Sequence, residues 1–170
     1  MAQVASASGD IMAEQNRTER DRIIEMLKRA YWMEIETVMS YIANSVNPDG
    51  VRAQEIKESL AADIQEELGH AQRFADRIKE LYGVVPGSED FAAEQSYLQP
   101  PDQQIDVVHV VKGVIEAERG AIEHYNRIVQ ETDDIDPVTQ DMVISILRDE
   151  EGHRRLFEGY LREYEAEGLA

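Results

Sequence analysis

The chain has 170 residues, no cysteine and a formal net charge of −18 at neutral pH. This length suits one domain with a substantial buried core, and the lack of cysteine excludes disulfides, thiolate metal sites and cysteine nucleophiles. The acidic balance argues against a nucleic-acid partner, because binding to phosphates requires clustered Lys and Arg. The negative charge serves either solubility or the attraction of cations.

The N-terminal segment, residues 1–17, is predicted to be a flexible tail that precedes the folded domain. Met1 to Asp10 contains no basic residue ahead of an apolar block, so it lacks the pattern of a signal peptide. No apolar run approaches the roughly twenty residues of a membrane-spanning helix. We therefore expect a cytoplasmic protein with no membrane partner.

Residues 18–167 carry four long segments with the apolar period of an α-helix, which predicts an all-α domain. The first helix is predicted over residues 18–45, from a sequence at Thr18 that resembles a capping box to the Asn-Pro-Asp-Gly turn at residues 47–50. The second helix is predicted from about Val51 to Tyr82, with Gly83 as its cap.

The apolar period fails over residues 84–101, which contain Pro-Gly and Pro-Pro pairs. So long a structureless segment is unusual inside one domain. It is required, however, by a four-helix bundle with one long crossover between its second and third helices. We therefore predict that architecture.

The third helix is predicted to begin at Asp102, as its N-cap, and to end near Asp133. The fourth is predicted to begin at Asp136, an N-cap followed by proline at the first helical position. It runs to about Glu167, and Gly168 closes it.

Each predicted helix has an apolar stripe, which is the row of apolar side chains expected to face the core. Ionisable residues interrupt the stripe in all four helices. An unpaired buried carboxylate costs several kcal/mol, so these groups must be paired, protonated or bound to cations. The interrupting residues are Glu34 in the first helix, Asp63, Glu67 and His70 in the second, Glu118 in the third, and Glu150 and His153 in the fourth.

The interruptions form a pattern that occurs twice. Glu-x-x-His, whose ends share one helix face, occurs as Glu67 with His70 and as Glu150 with His153. A glutamate followed seven residues later by a tyrosine occurs as Glu34 with Tyr41 and as Glu118 with Tyr125. Glutamates from two helices, with Glu-x-x-His from the other two, are the ligand set of a di-iron or di-manganese bundle. One Glu-x-x-His alone is weak evidence, but the doubled set is specific.

Several neighbours compete for the same roles. The apolar stripes favour Glu34 over Glu36 and Glu118 over Glu116, because both rivals align with polar residues, although the choice in the third helix stays open. The other rivals are Glu66 and Glu151, and the off-stripe His109 and His124 are expected at the surface.

These residues resemble the ferritin-like superfamily, and bacterioferritin most of all, over roughly residues 18–165. Residues 146–153, 67–73 and 34–41 are similar to its fourth-, second- and first-helix motifs. The third helix is a weaker match, and its Glu-x6-Tyr is more similar to the rubrerythrin pattern.

The resemblance implies a di-iron centre with defined roles for these side chains. Glu34 and His70 would be terminal ligands of one iron, Glu118 and His153 of the other, and Glu67 and Glu150 would bridge both. Around them, Glu66 and Asp149 are predicted to accept hydrogen bonds from the histidine rings, and Tyr41 and Tyr125 to hydrogen-bond near the metals. Asp63 receives no role.

Two departures from bacterioferritin alter the expectations. Leu68 stands where its haem-binding methionine would be, so haem binding is not expected. The chain also ends soon after the fourth helix, without the short fifth helix of the 24-subunit shell. This favours a homo-oligomer that is a smaller cage of twelve or a dimer.

The leading functional hypothesis is a ferroxidase that oxidises Fe(II) with O2 or H2O2 for iron storage or detoxification. Carboxylate and imidazole ligands suit iron, with manganese as the other candidate. The alternatives are a rubrerythrin-like peroxidase, a di-iron oxidase or oxygenase acting on another substrate, and a non-enzymatic bundle that uses a buried polar network. A DNA-binding mini-ferritin is disfavoured because the first sixteen residues contain no Lys or Arg.

Overall fold

Four long helices dominate the computed structural model, which describes residues 10–170. They are α1 (Arg17–Val46), α2 (Ala53–Glu80), α3 (Val107–Glu131) and α4 (Pro137–Ala166). Short 3-10 turns occur at Glu14–Asn16, Ser88–Asp90 and Ser96–Leu98, and the described residues contain no strand. The predicted four-helix bundle with a long crossover between its second and third helices is confirmed. No helix within residues 10–170 is long and apolar enough to cross a membrane.

The apolar core is divided into two clusters. Leu27, Phe74 and Ile146 belong to one, and Leu60 and Phe157 belong to the other. Phe74 and Phe157 are both fully buried, and each lies four residues after the histidine of a Glu-x-x-His motif. The two motifs therefore lie between apolar layers that exclude water.

The N-terminal boundary differs from the prediction. Residues 1–9 of the predicted tail lie outside the described residues, but from Asp10 onward the chain packs on the bundle. Ile11 is buried in the core, and the Arg20 guanidinium donates to its carbonyl (3.1 Å). The capping box at Thr18 is wrong, because α1 begins one residue earlier and Asn16, its N-cap, makes no side-chain capping bond.

The N-cap of α3 is Asp106, whose side chain accepts from the His109 amide, and the predicted cap at Asp102 is wrong. Residues 102–105 instead form turns that extend the crossover. The cap of α4 at Asp136 is confirmed, since its carboxylate accepts from the Thr139 amide (3.1 Å).

Gly83 closes α2 by donating its amide to the carbonyl of Ile78 (2.8 Å). The left-handed residue at this end is Tyr82 (φ 67°), not the glycine. A Cβ at Gly83 would lie 2.9 Å from both the carbonyl oxygen and the Cγ2 atom of Ile78, so the position requires glycine for close approach.

The crossover runs beside α1 and in the same direction. Successive hydrogen bonds join Glu36 to the amide of Glu94 (2.9 Å), Asn44 to the carbonyl of Leu98 (2.9 Å), and the amide of Asp49 to the carbonyl of Gln104 (2.8 Å). Glu36 was predicted on a polar face but is buried, because the crossover covers it. Its carboxylate accepts hydrogen bonds from two backbone amides of the crossover.

The crossover also contacts α3 at Gly113. A Cβ at this position would lie 2.5 Å from the carbonyl oxygen of Tyr97, which is too close for any side chain. The glycine thus allows the crossover to lie directly against the α3 backbone and to cover the side of the bundle formed by α1 and α3.

We predict that Gly113→Ala lowers the free energy of unfolding by about 1–3 kcal/mol, because the backbone of the crossover must move to admit the methyl group. Urea denaturation measures the change. Gly69→Ala is the matched control, since a Cβ there has nothing within 4 Å. It should be neutral or stabilise by up to about 1 kcal/mol. Equal midpoints for both variants would contradict this account of the crossover.

Candidate metal centre

The six predicted ligands converge in the middle of the bundle. All six side chains are buried, and every long helix contributes at least one: Glu34 from α1, Glu67 and His70 from α2, Glu118 from α3, Glu150 and His153 from α4. Spacing of i, i+3 aims both members of each Glu-x-x-His motif at the same point.

The cluster contains two overlapping four-residue groups, each compact enough for one cation. In each group, one potential ligand atom per residue lies within 4.8 Å of all the others. The first group is Glu34, Glu67, His70 and Glu150; the second is Glu67, Glu118, Glu150 and His153. The two groups share Glu67 and Glu150, which the sequence analysis predicted as the bridging pair.

Both histidines present Nδ1 to the centre of the cluster. His70 Nδ1 lies 3.0 Å from Glu150 Oε1 and 3.3 Å from Glu67 Oε2. His153 Nδ1 lies 3.2 Å from Glu67 Oε1 and 3.6 Å from Glu150 Oε2. Each ring therefore contacts both shared glutamates.

The opposite ring nitrogens face carboxylates nearer the surface. His70 Nε2 lies 3.3 Å from Asp149 Oδ2, and His153 Nε2 lies 3.3 Å from Glu66 Oε2. Asp149 and Glu66 are the two carboxylates that the sequence analysis paired with the histidine rings. With Nε2–H donating outward, the Nδ1 lone pair is free to bind a cation.

Two buried tyrosines connect the halves of the bundle. The Tyr41 hydroxyl, on α1, donates to Glu118 Oε1 on α3 (2.6 Å). The Tyr125 hydroxyl, on α3, donates to Glu34 on α1. The predicted hydrogen bonds near the centre are present, and each tyrosine holds the glutamate of the opposite half rather than that of its own helix.

The rivals Glu116 and Glu151 lie away from the centre. Glu116 is exposed and pairs with Arg119 (3.6 Å), which leaves Glu118 as the inward glutamate of α3. Glu151 is exposed. His109 is at the surface, as expected. His124 is instead buried, because it packs against α1 with its Nε2 atom 2.9 Å from the carbonyl oxygen of Met26.

Asp63 is the residue that sequence reasoning noticed without assigning it a role. Its Oδ1 atom lies 3.9 Å from His153 Nε2, and its Oδ2 atom is buried without a hydrogen bond. Burial raises the pKa of Asp63 to about 6, against the opposing effect of His153. The sequence feature that pointed to Asp63 was its position on the apolar stripe of the second helix, one turn before Glu67.

Without cations, protons compensate the charge of the cluster. Burial and the charges of Glu150 and Glu67 raise the pKa values of Glu34 and Glu118 well above the ordinary value. Burial would lower the pKa values of the histidines, but the adjacent carboxylates of Glu150 and Glu67 outweigh it and raise the pKa to about 10 for His70 and about 12 for His153. Burial would raise the pKa of Glu150, but the two histidines lower it to about 2.

The residues fit a pair of divalent cations. Three buried atoms at the centre make no hydrogen bond of normal geometry, namely Glu67 Oε1, Glu150 Oε1 and His153 Nδ1. A cation would satisfy these atoms and replace the protons. A donor set of carboxylate oxygen and imidazole nitrogen, without sulfur, suits iron and manganese.

Comparison with known proteins gives one family and several relatives. The family model "Ferritin-like domain" matches residues 24–166. A DNA protection during starvation protein of Pyrococcus furiosus is 28% identical over 154 residues, covering 88% of this chain and 82% of that protein. A bacterioferritin of Desulfovibrio desulfuricans is 25% identical over 150 residues, covering 86% of this chain and 78% of that protein.

Solved structures share the fold. A structure described as a dodecameric thioferritin, a bacterioferritin-related protein from Bacteroides fragilis, superposes with a TM-score of 0.76 at 23% identity. The alignment covers 92% of this chain and 97% of that chain. A bacterioferritin structure from Desulfovibrio desulfuricans, whose diiron site was studied in several catalytic states, gives a TM-score of 0.75 at 22% identity, with 91% and 86% covered.

We predict that loading the centre with Co(II) at pH 7 releases at least two protons, one from each of the two histidines. Their pKa values of about 10 and 12 keep both rings protonated until a cation displaces the protons. Protons compete with the cation, so affinity should rise with pH by about tenfold per unit for each proton released.

Calorimetry in buffers of different ionisation enthalpy counts the released protons. His109→Ala, which removes an exposed histidine outside the cluster, should leave the count unchanged. Binding without proton release, and with the same affinity at pH 6 and pH 8, would contradict the protonated state of the cluster.

Proposed function

Because this chain belongs to the ferritin-like domain family, we propose that it is a bacterioferritin-like ferroxidase, which oxidises Fe(II) for iron storage or detoxification. The observation that carries the proposal is the pair of four-ligand groups that share Glu67 and Glu150. Two cations held by shared carboxylates are close enough to act together on one small oxidant.

The chemistry requires two electrons and two protons. Two Fe(II) ions, as substrates, each give up one electron; these electrons and two protons convert H2O2 to two water molecules, or O2 to H2O2. Glu34 with His70, and Glu118 with His153, would hold one ion each. The shared glutamates would offset the positive charge of both ions.

The chain's own residues prepare the centre for this reaction. Tyr41 and Tyr125 hold the two unshared glutamates in place through their hydroxyl groups. Asp149 and Glu66 orient the histidine rings. Because these contacts exist before any cation binds, little reorganisation is needed on loading.

The ions would enter between α2 and α4. The crossover covers the α1–α3 side, whereas on the other side the side chains of Glu66 and Asp149 are 49% and 32% exposed. These carboxylates contact the outer nitrogens of both histidines, so they connect solvent to the centre with negatively charged groups that attract Fe(II).

The cavity beside the crossover does not have the lining that an organic substrate would need. A cavity of about 810 Å³ between α1, α3 and the crossover is lined by many charged side chains, including Lys28, Arg29 and Glu123. It is not an apolar chamber of the kind that an oxygenase substrate requires. A rubrerythrin-like peroxidase remains the alternative function, and with no cysteine in the chain its electron donor would be another protein.

The similarity to the Pyrococcus furiosus DNA protection protein supports detoxification as the physiological role. For this chain we propose protection through the removal of Fe(II) and oxidant rather than through contact with DNA, given its net charge of −18. The cytoplasmic location and the lack of haem at Leu68, which is partly exposed on α2, stay predictions.

We also propose a homo-oligomer, in line with the dodecamer named for the Bacteroides fragilis relative. The surface of α1 and α2 supports this proposal. Met39, Ile42 and Val46 on α1 and Leu68 on α2 are exposed apolar side chains in a chain that is otherwise strongly acidic. Met39, Ile42 and Val46 recur at the spacing of one helix face, and an exposed apolar face of this kind marks a contact surface between proteins.

We predict that Glu34→Ala and His153→Ala each slow rapid aerobic Fe(II) oxidation by at least about 100-fold, because each removes a direct ligand. Stopped-flow absorbance measures the rate, and circular dichroism verifies that the helices remain. Glu116→Ala, which removes an exposed glutamate of α3, is the control and should keep the wild-type rate. Rapid oxidation by both ligand variants would disprove the site assignment.

The iron retained by each subunit after aerobic Fe(II) titration separates storage from catalysis alone. For storage we expect roughly tens to hundreds of irons per subunit to remain with the soluble protein. Saturation near two irons, the capacity of the paired site, would instead favour the peroxidase alternative. Iron analysis of the desalted protein provides the count, with the Glu34→Ala protein as the control.

A further inference from the structure

The two halves of the bundle, α1–α2 and α3–α4, are related residue by residue around the centre. The offset is 84 positions between α1 and α3 and 83 positions between α2 and α4. The corresponding pairs are Glu34 and Glu118, Tyr41 and Tyr125, Glu66 and Asp149, Glu67 and Glu150, His70 and His153, and Phe74 and Phe157. Asp63 breaks this correspondence, because its counterpart four residues before Glu150 is Ile146, a fully buried core residue.

Asp63 lies beside only one of the two histidines. His153 Nε2 forms two outer ion pairs, with Glu66 at 3.3 Å and with Asp63 at 3.9 Å, whereas His70 Nε2 forms one, with Asp149 at 3.3 Å. Glu66 also lies within 4.8 Å of a His70 ring nitrogen but forms no ion pair with that ring, so at ion-pair distance Asp63 gives His153 one more outer carboxylate than His70 has.

The setting of Asp63 makes its charge effective. Its side chain is only 14% exposed, and one of its oxygens is buried without a hydrogen bond. In so protected a place its charge is weakly screened by water and salt. Carboxylates on the outer nitrogen of a metal-binding histidine raise the basicity of the inner nitrogen and commonly change metal affinity by 10–100-fold.

We propose that Asp63 makes the two cation positions unequal, so that the position formed by Glu118 and His153 binds a divalent cation more tightly and is filled first. Asp63 is a positioning residue in this scheme, acting through His153 without contacting the ion. The inference rests on the metal centre of the proposed function, and it concerns the order of loading rather than the oxidation itself.

Anaerobic titration of the full chain with Co(II), followed by its visible absorption and by calorimetry at fixed pH, tests the proposal. The wild-type protein should bind two ions in two steps separated by at least about tenfold in affinity. His153→Ala should remove the tighter step, and His70→Ala should retain it. These two variants assign the steps to their positions without any measurement of activity.

Asp63→Asn should weaken the tighter step by about tenfold and leave the weaker one within about twofold, so that the two steps merge. Asp63→Glu should restore the separation. Asp76→Asn is the matched control, since it removes the same charge from an exposed position on α2, away from both histidines, and it should leave both steps unchanged.

Circular dichroism and urea denaturation verify that each variant is folded. An equal shift of both steps in Asp63→Asn, or no shift in either, would overturn the inference while the metal centre stands. Failure of the wild-type protein to bind Co(II) would instead overturn the metal centre itself, and this inference with it.

Discussion

The structure is governed by four carboxylates buried together in the middle of an apolar core. Like charges removed from water repel one another strongly, so the arrangement persists only with compensating positive charge. In the chain alone, that compensation comes from the protonated histidines, while burial and the neighbouring carboxylates raise the pKa values of Glu34 and Glu118 and so favour their neutral forms. The other features of the bundle either supply hydrogen bonds to these carboxylates or keep water away from them, and the same repulsion is the driving force for binding cations.

The surrounding fold gives the centre two different sides. On the α1–α3 side, the crossover is attached to Glu36 and lies against the α3 backbone at Gly113, which closes the bundle. On the α2–α4 side, carboxylates follow one another from the surface to the histidine rings. A centre with one closed and one charged, partly open side can admit small ions while the apolar layers above and below it remain dry.

The fold and the inner residues of the centre could be predicted from the sequence because both depend on local periodicity. A charged residue at a stripe position is visible in the sequence, and its doubling made Glu34, Glu67 and their partners recognisable. The failures arose where a distant segment decides the environment. Glu36 is buried by chain that follows no helical period, Ile11 lies in such chain and packs against the helices, and the cap at Asp106 depends on how the crossover ends. The effect of Asp63 required the position of His153 on another helix.

Each tyrosine donates its hydroxyl hydrogen bond to the glutamate of the other half, and this has a consequence for how such a centre could arise. Tyr41 serves Glu118 and Tyr125 serves Glu34, so a lone helical hairpin leaves its own glutamate without a donor. Two copies of one hairpin, associated about a two-fold axis, would supply each other with the missing hydroxyl and assemble all six inner residues. A short ancestral peptide could therefore have possessed the complete centre as a symmetric dimer. Within one chain the two halves need not stay identical, as Asp63 at the position that corresponds to Ile146 illustrates.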